Sequence, residues 1–175
     1  MKKIMKFFIY FILMLAIILF FVPKVNVYYL AETFMKQKNI YISDEDIYDN
    51  GFSLELVNAK IFFDKLELMK IDTIKFSPWI VYNSIRLDVI DINEGFSDFL
   101  PRDLSFIEAK HVFYNPTQIM IRGESQDSSL FGEIDFIERV VRLHFRIGVK
   151  SEKKYKNLLS KLTKEEGGYY FEYKL

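Results

Sequence analysis

No cysteine occurs among the 175 residues, which excludes disulfides, thiol nucleophiles, zinc knuckles and iron–sulfur ligation together. Histidine is nearly as scarce: His111 and His144 stand alone, so metal chemistry has little to work with and no metal site is expected. Net charge is also missing. Lysine plus arginine and aspartate plus glutamate both total 24, so no basic surplus speaks for nucleic acid and no acidic surplus for a solvating tail. No G-x-S-x-G elbow is present, and no residue constellation for acid–base or nucleophilic work stands out; neither enzymatic activity nor a cofactor is expected. The acidic run Ser43-Asp44-Glu45-Asp46 lacks the glycine and the spacing of a calcium loop, and reads as a turn with solvated carboxylates. Seven glycines and four prolines leave most turns to Asn, Asp, Ser and Glu.

What the chain does have is apolar. From Phe7 to Val22 run sixteen residues without a charge, closed by Pro23 and flanked by Lys2, Lys3 and Lys6 on one side and Lys24 on the other. At about 1.5 Å per residue, Ile4 to Val25 covers most of a hydrocarbon core of about 30 Å, with the flanking lysines snorkelling. A cleaved secretory signal would share the basic start, but it needs small residues before its cut, and this tract offers only Ala16. The expectation is an uncleaved anchor over residues 1–25, with the basic tip cytoplasmic and residues 26–175 exported as one domain.

Eighteen phenylalanines and eleven tyrosines favour strands in that domain. Asn26 is a candidate cap for a helix from Val27 to about Lys38, with Val27, Leu30, Ala31, Phe34 and Met35 at helical spacing and Tyr28 and Tyr29 suited to a membrane interface. Thereafter apolar residues alternate. Phe52, Leu54 and Leu56 share one parity after an Asn50-Gly51 turn. Ile61 and Phe63 share another, then Leu66 and Leu68, then Ile71, then Ile74 and Phe76; each slip implies a turn or a bulge. Ile85, Leu87 and Val89 give way to Ile90 and Ile92, which predicts a bulged strand. Gly95 to Asp103 reads as the longest loop, and a hairpin is expected to turn at Asn115-Pro116. Ile134 and Phe136 lead to a turn near Glu138-Arg139. A helix is expected from Ser151 to about Lys164, with Tyr155, Leu158, Leu159 and Leu162 on one face, ended by Gly167-Gly168 before a last strand.

The most regular strand carries the candidate site. Val141, Leu143, Phe145, Ile147 and Val149 alternate with Arg142, His144 and Arg146, so one face is dry and the other wet. That dry face is either core, if the sheet closes into a sandwich, or an apolar groove, if it stays open. The fold class is mainly β: a transmembrane helix, then an antiparallel meander forming a curved sheet or a sandwich, with short helices near both ends of the domain.

The order of these features resembles the type II secretion protein N family, within the wider AsmA-like group of membrane-anchored β-rich proteins. The resemblance rests on the anchor ending in FFVPKVNVYYLAETF, the early strand pair FSLELVNAKIFF, and the closing KNLLSKLTKEEGGYYFEYKL. It implies a single-pass inner-membrane protein of a Gram-negative envelope, its domain periplasmic, without enzymatic activity. The implied partners are the inner membrane and envelope or secretion-machinery proteins, with lipid as the alternative ligand. The secretion branch acts as accessory components of export; the AsmA-like branch is linked to lipid movement along apolar β-grooves. The chain is short for that group, which weighs against an envelope-spanning conduit.

Overall fold

The computed structural model describes residues 2–79, 81–93, 95, 104–148, 152 and 155–175. Helix α1 spans Lys2–Phe21; within it Lys3–Phe21 is long and apolar enough to cross a membrane, and none of that window is buried against the rest of the chain. Helix α2, Lys24–Lys36, begins three residues earlier than Asn26 would set it. The reason is Pro23, which occupies the cap position: its ring ends one helix and presets the dihedral that starts the next.

Among the described residues eleven strands follow: β1 Ile40–Ser43, β2 Asp46–Asp49, β3 Leu54–Phe63, β4 Leu66–Pro78, β5 Tyr82–Ile92, β6 Leu104–Val112, β7 Asn115–Ser125, β8 Ser128–Asp135, β9 Val140–Ile147, β10 Thr163–Glu165 and β11 Gly168–Lys174. Of the curved sheet and the sandwich, the single open sheet is the one formed. Its order is β1-β3-β4-β5-β6-β7-β8-β9-β11-β10, antiparallel throughout, with β2 also on β3. β1 and β2 line one edge of β3 end to end: β1 faces Lys60–Phe63 and β2 faces Leu54–Val57. The break between them is the acidic run, where Asp44 (φ +65°) meets Lys60 at 2.6 Å and Glu45 accepts a hydrogen bond from Tyr28. A broken, charged edge is poor at recruiting another strand.

The parity slips read from the sequence are one structural event. Inward-facing positions lie three apart, not two, at Leu56/Ala59, Ile71/Ile74 and Leu87/Ile90, and these steps stand opposite one another across β3, β4 and β5. Asn58 (φ +60°) and Val89 (φ +52°) take the left-handed backbone at this line. Each strand therefore switches parity at the same level, and the apolar face stays continuous through the kink.

Tyr28 of α2 seals that face with Ile42, Leu54, Leu56, Ala59, Ile71, Ile74, Ile90 and Ile92, and Val25 and Met35 pack beside it. This is the principal core, at the anchor-proximal third of the sheet. At the other end Tyr155 and Leu159 are buried by a short helix α3, Lys156–Leu159. The expected helix to Lys164 is cut short: residues 163–165 form β10 instead, and Gly167 (φ +93°) supplies the hairpin turn to β11, so the glycine pair turns a strand and caps no helix. The side chain of Leu158, and most of the expected loop Gly95–Asp103, lie outside the described residues.

Two further expectations shift. The β6–β7 hairpin turns at Phe113-Tyr114, and Pro116 falls in a bulge of β7, where no ladder bond is asked of it. In the β8–β9 hairpin Phe136 belongs to the four-residue turn, which Asp135 holds by accepting hydrogen bonds from the N–H groups of Ile137 and Glu138.

Candidate functional site

Cross-strand pairing builds the dry face one row at a time. Ile47, Leu56, Ile74, Leu87, Ile107, Gly123, Leu130, Phe145 and Tyr169 stand opposite one another in a single line across nine strands. Val141, Leu143, Phe145 and Ile147 of the predicted set lie on this face, as their alternation requires; Val149 lies outside the described residues. Their partners are apolar or small: Ile134 for Val141, Gly132 for Leu143, Leu130 for Phe145. Gly132 is there because nothing larger fits: a Cβ would stand 2.4 Å from the Arg142 carbonyl oxygen and 2.5 Å from the Leu143 side chain.

Cover over this face is uneven. α2 buries the β3–β5 end, and the α3 segment lies over the other, where Tyr169 lines a hollow with Leu159 and donates to Glu152 at 2.6 Å. That bond, with Lys164 nearby, holds the Glu152 carboxyl below its usual range. Between the two covers, Ile107, Ala109, Ile121 and Leu130 are only half-buried. The dry face is thus core at its ends and an open trough in the middle.

The wet face holds what alternation alone did not reveal. Two rows cross it: Glu108, Arg122, Phe131, His144 and Tyr170, and beside them Lys110, Met120, Glu133, Arg142 and Glu172. Their members on β6 to β9 line an open basin of about 580 Å³. Arg142 is its fixed post, meeting Glu133 at 2.9 Å, Glu172 at 3.5 Å and Glu138, and its hydrogen bonds to Glu138 and then Glu133 raise the guanidinium pKa above its ordinary value. Other cations lie on rings: Arg122 over Phe131 at 5.9 Å, Lys110 over Tyr82 at 4.6 Å, and Arg86 over Phe106 at 4.1 Å. Amid these charges Met120 and Phe131 remain 44% and 41% exposed. A sequence signal existed, since Met120 and Phe131 break the polar parity of their strands, but only register puts them side by side.

The histidines do not meet. His144 lies against Tyr170 on the wet face, tilted by 44° with 4.8 Å between ring centroids, whereas His111 shares a row with Ile119, Ile134 and Val141 on the other. Among the described residues no group of three His, Asp or Glu side chains is placed to hold a metal ion.

A third feature joins sheet to anchor. Lys24 is fully buried; its Nζ donates to the carbonyls of Phe20 and Val22 at 3.3 and 3.1 Å, and Asp49 stands 3.5 Å away. The lysine that follows the apolar tract therefore caps the C-terminal end of α1, where a cation is favoured by the helix dipole and by the orphan carbonyls. Phe20 lies against Gly51 and contacts the Phe52 ring edge-on at 5.4 Å, and Phe52 stacks on Trp79 at 5.4 Å. Gly51 needs its glycine twice over, for φ +77° and because a Cβ would sit 2.2 Å from the Phe20 ring. Comparison with known protein families, with characterised proteins and with solved structures finds no match to this chain.

Proposed function

We propose that this chain is a membrane-tethered docking module of the cell envelope. α1 would sit in the inner membrane with Lys2, Lys3 and Lys6 in the cytoplasm, and the sheet would stand in the periplasm. It would act without catalysis, holding an envelope or secretion-machinery protein in place, as the resemblance to the type II secretion protein N family suggests. The observation that carries the proposal is the wet-face basin. Exposed Met120 and Phe131, ringed by Arg122, Arg142, Glu108 and Glu133, have the composition of a protein interface: an apolar centre, arginine and aromatic anchors, and a charged rim. Balanced charge there suits a folded protein surface of mixed sign better than a nucleic acid.

The test is a native-size measurement of the full chain in gently solubilised membranes. It should migrate in a larger complex that Arg122→Glu with His144→Glu dissolves, while a reversal remote from the basin, Glu165→Lys, leaves it intact. A chain that migrates alone, or a complex indifferent to the basin, contradicts the proposal.

A second reading has its own observation. The half-buried trough formed by Ile107, Ile121 and Leu130 would suit acyl chains, and lipid retained by the purified protein but lost in Leu130→Glu would favour it.

A further inference from the structure

Strand direction sorts the turns of the sheet into two sets. The described two-residue turns at one end, Asp64-Lys65, Gln126-Asp127 and Glu166-Gly167, are polar. At the other end, where α1 arrives, each turn carries bulky apolar side chains: Phe52 after β2, Trp79 and Val81 between β4 and β5, Phe113 and Tyr114 between β6 and β7. Val81, Phe113 and Tyr114 are 62%, 75% and 82% exposed. Nor are these turns scattered. The Trp79 N–H closes the β4–β5 turn by donating to the Tyr82 carbonyl, and the Phe113 N–H donates to the Val81 carbonyl at 3.0 Å, which ties the β6–β7 turn to its neighbour. The rim begins at the anchor itself, through the Phe20–Phe52–Trp79 ring contacts.

Aromatic side chains with one apolar and one polar end collect at bilayer headgroups, and an exposed row of them costs free energy in water. We propose that this rim is a second membrane contact: the sheet stands end-on, with Phe52, Trp79, Val81, Phe113 and Tyr114 seated in the headgroup layer of the bilayer that α1 enters. The inference rests on α1 being a membrane span. The occupant is the lipid surface because the rim is continuous with the end of that helix, while the described two-residue turns at the opposite end are polar. From β3 to the β6–β7 turn is about 17 Å at about 4.8 Å per strand, so Tyr114 reaches lipid only if the sheet is held upright; proximity to the anchor does not put it there. The β8–β9 turn at the same end also exposes Phe136 and Ile137, at 53% and 75%.

Because Trp79 is the only tryptophan, the test is optical. The full chain is reconstituted in phosphatidylcholine vesicles whose acyl chains are brominated either near the headgroup or at mid-chain, with iodide as the aqueous quencher. Single-tryptophan versions are made on Trp79→Phe: Phe11→Trp in the anchor, Tyr114→Trp on the rim with Phe113→Trp as its duplicate, and Gln126→Trp at the far end. Trp79 and the rim tryptophans should lose most of their emission to the shallow bromines and little to iodide, Phe11→Trp should be quenched from mid-chain, and Gln126→Trp only by iodide. If Phe11→Trp is quenched from mid-chain but both rim variants are reached by iodide and ignore the lipid, the rim contact is wrong and the anchor stands. Rim tryptophans shielded from both quenchers would mean a protein cover, which also overturns it. An iodide-accessible Phe11→Trp would remove the span and the rim contact together.

Discussion

Lys24→Met tests the joint between anchor and sheet. Methionine keeps most of the lysine stem's volume, so the packing loss is small and the change isolates the ammonium group. That group is fully buried and donates to the Phe20 and Val22 carbonyls, with Asp49 close by. Hydrogen bonds to a charged group contribute about 1.5–3 kcal/mol, and carbonyls left without a donor at a buried helix end cost about as much. Partial rehydration of the freed end brings the net to about 2–3 kcal/mol. In a chain of this size each kcal/mol moves Tm by about 2–4 °C, so a fall of about 5–10 °C is expected in thermal unfolding of the micelle-held protein. Asp49→Asn should behave differently. Its side chain is over a third exposed and its partner keeps two carbonyl acceptors, so the loss should stay under about 1 kcal/mol. If the two substitutions lower Tm equally, or Asp49→Asn does more, the capping role assigned to Lys24 is wrong.

Three further outcomes follow from burial and register. Ile71→Ala empties the centre of the principal core and should cost about 2–5 kcal/mol by denaturant unfolding, whereas Phe145→Asp, on the half-covered part of the same face, should cost about 1–3 kcal/mol and exposed Arg146→Asp under about 0.5 kcal/mol. Gly132→Ala forces a Cβ against the Arg142 carbonyl, which cannot swing aside, so hydrogen exchange should quicken along β8 and β9 in that variant. The Asp135 carboxyl is held below its ordinary value of 3.8, first by the Gln118 amide and then by the turn N–H groups. Its contribution is therefore full above about pH 4 and lost as pH falls through the lower folded value; amide exchange in the 136–139 turn should rise there, and Asp135→Asn should abolish that acid-induced rise.

Periodicity carried most of the fold, because one buried face imposes alternation and alternation is visible in a sequence. Even the kink was legible, since Ile71/Ile74 and Val89/Ile90 break parity in neighbouring strands. What stayed hidden depended on the third dimension. That the slips align across β3, β4 and β5 is a fact of register. Thr163–Glu165 carries no apolar pattern of its own and becomes a strand only because β11 offers an edge. Asn115-Pro116 is a strong turn signal, yet the pairing of Val112 with Asn115 moves the turn to Phe113-Tyr114. Lys24 looked like a flanking charge of the tract, and only the arrival of β2 turns it inward. Of the candidate site, the dry face was legible in Val141, Leu143, Phe145 and Ile147, but the basin was not, since its residues come from four strands and share no spacing.

Leu130 and Phe131 are neighbours in sequence that point to opposite faces of β8, one into the trough and one into the basin. A photo-crosslinking amino acid placed at each, in the full chain in living cells, compares the two faces under identical conditions. Discrete protein adducts from position 131, removed by Arg122→Glu, with none from position 130, are what a docking module predicts. Lipid adducts from position 130 with silence at 131 would contradict it.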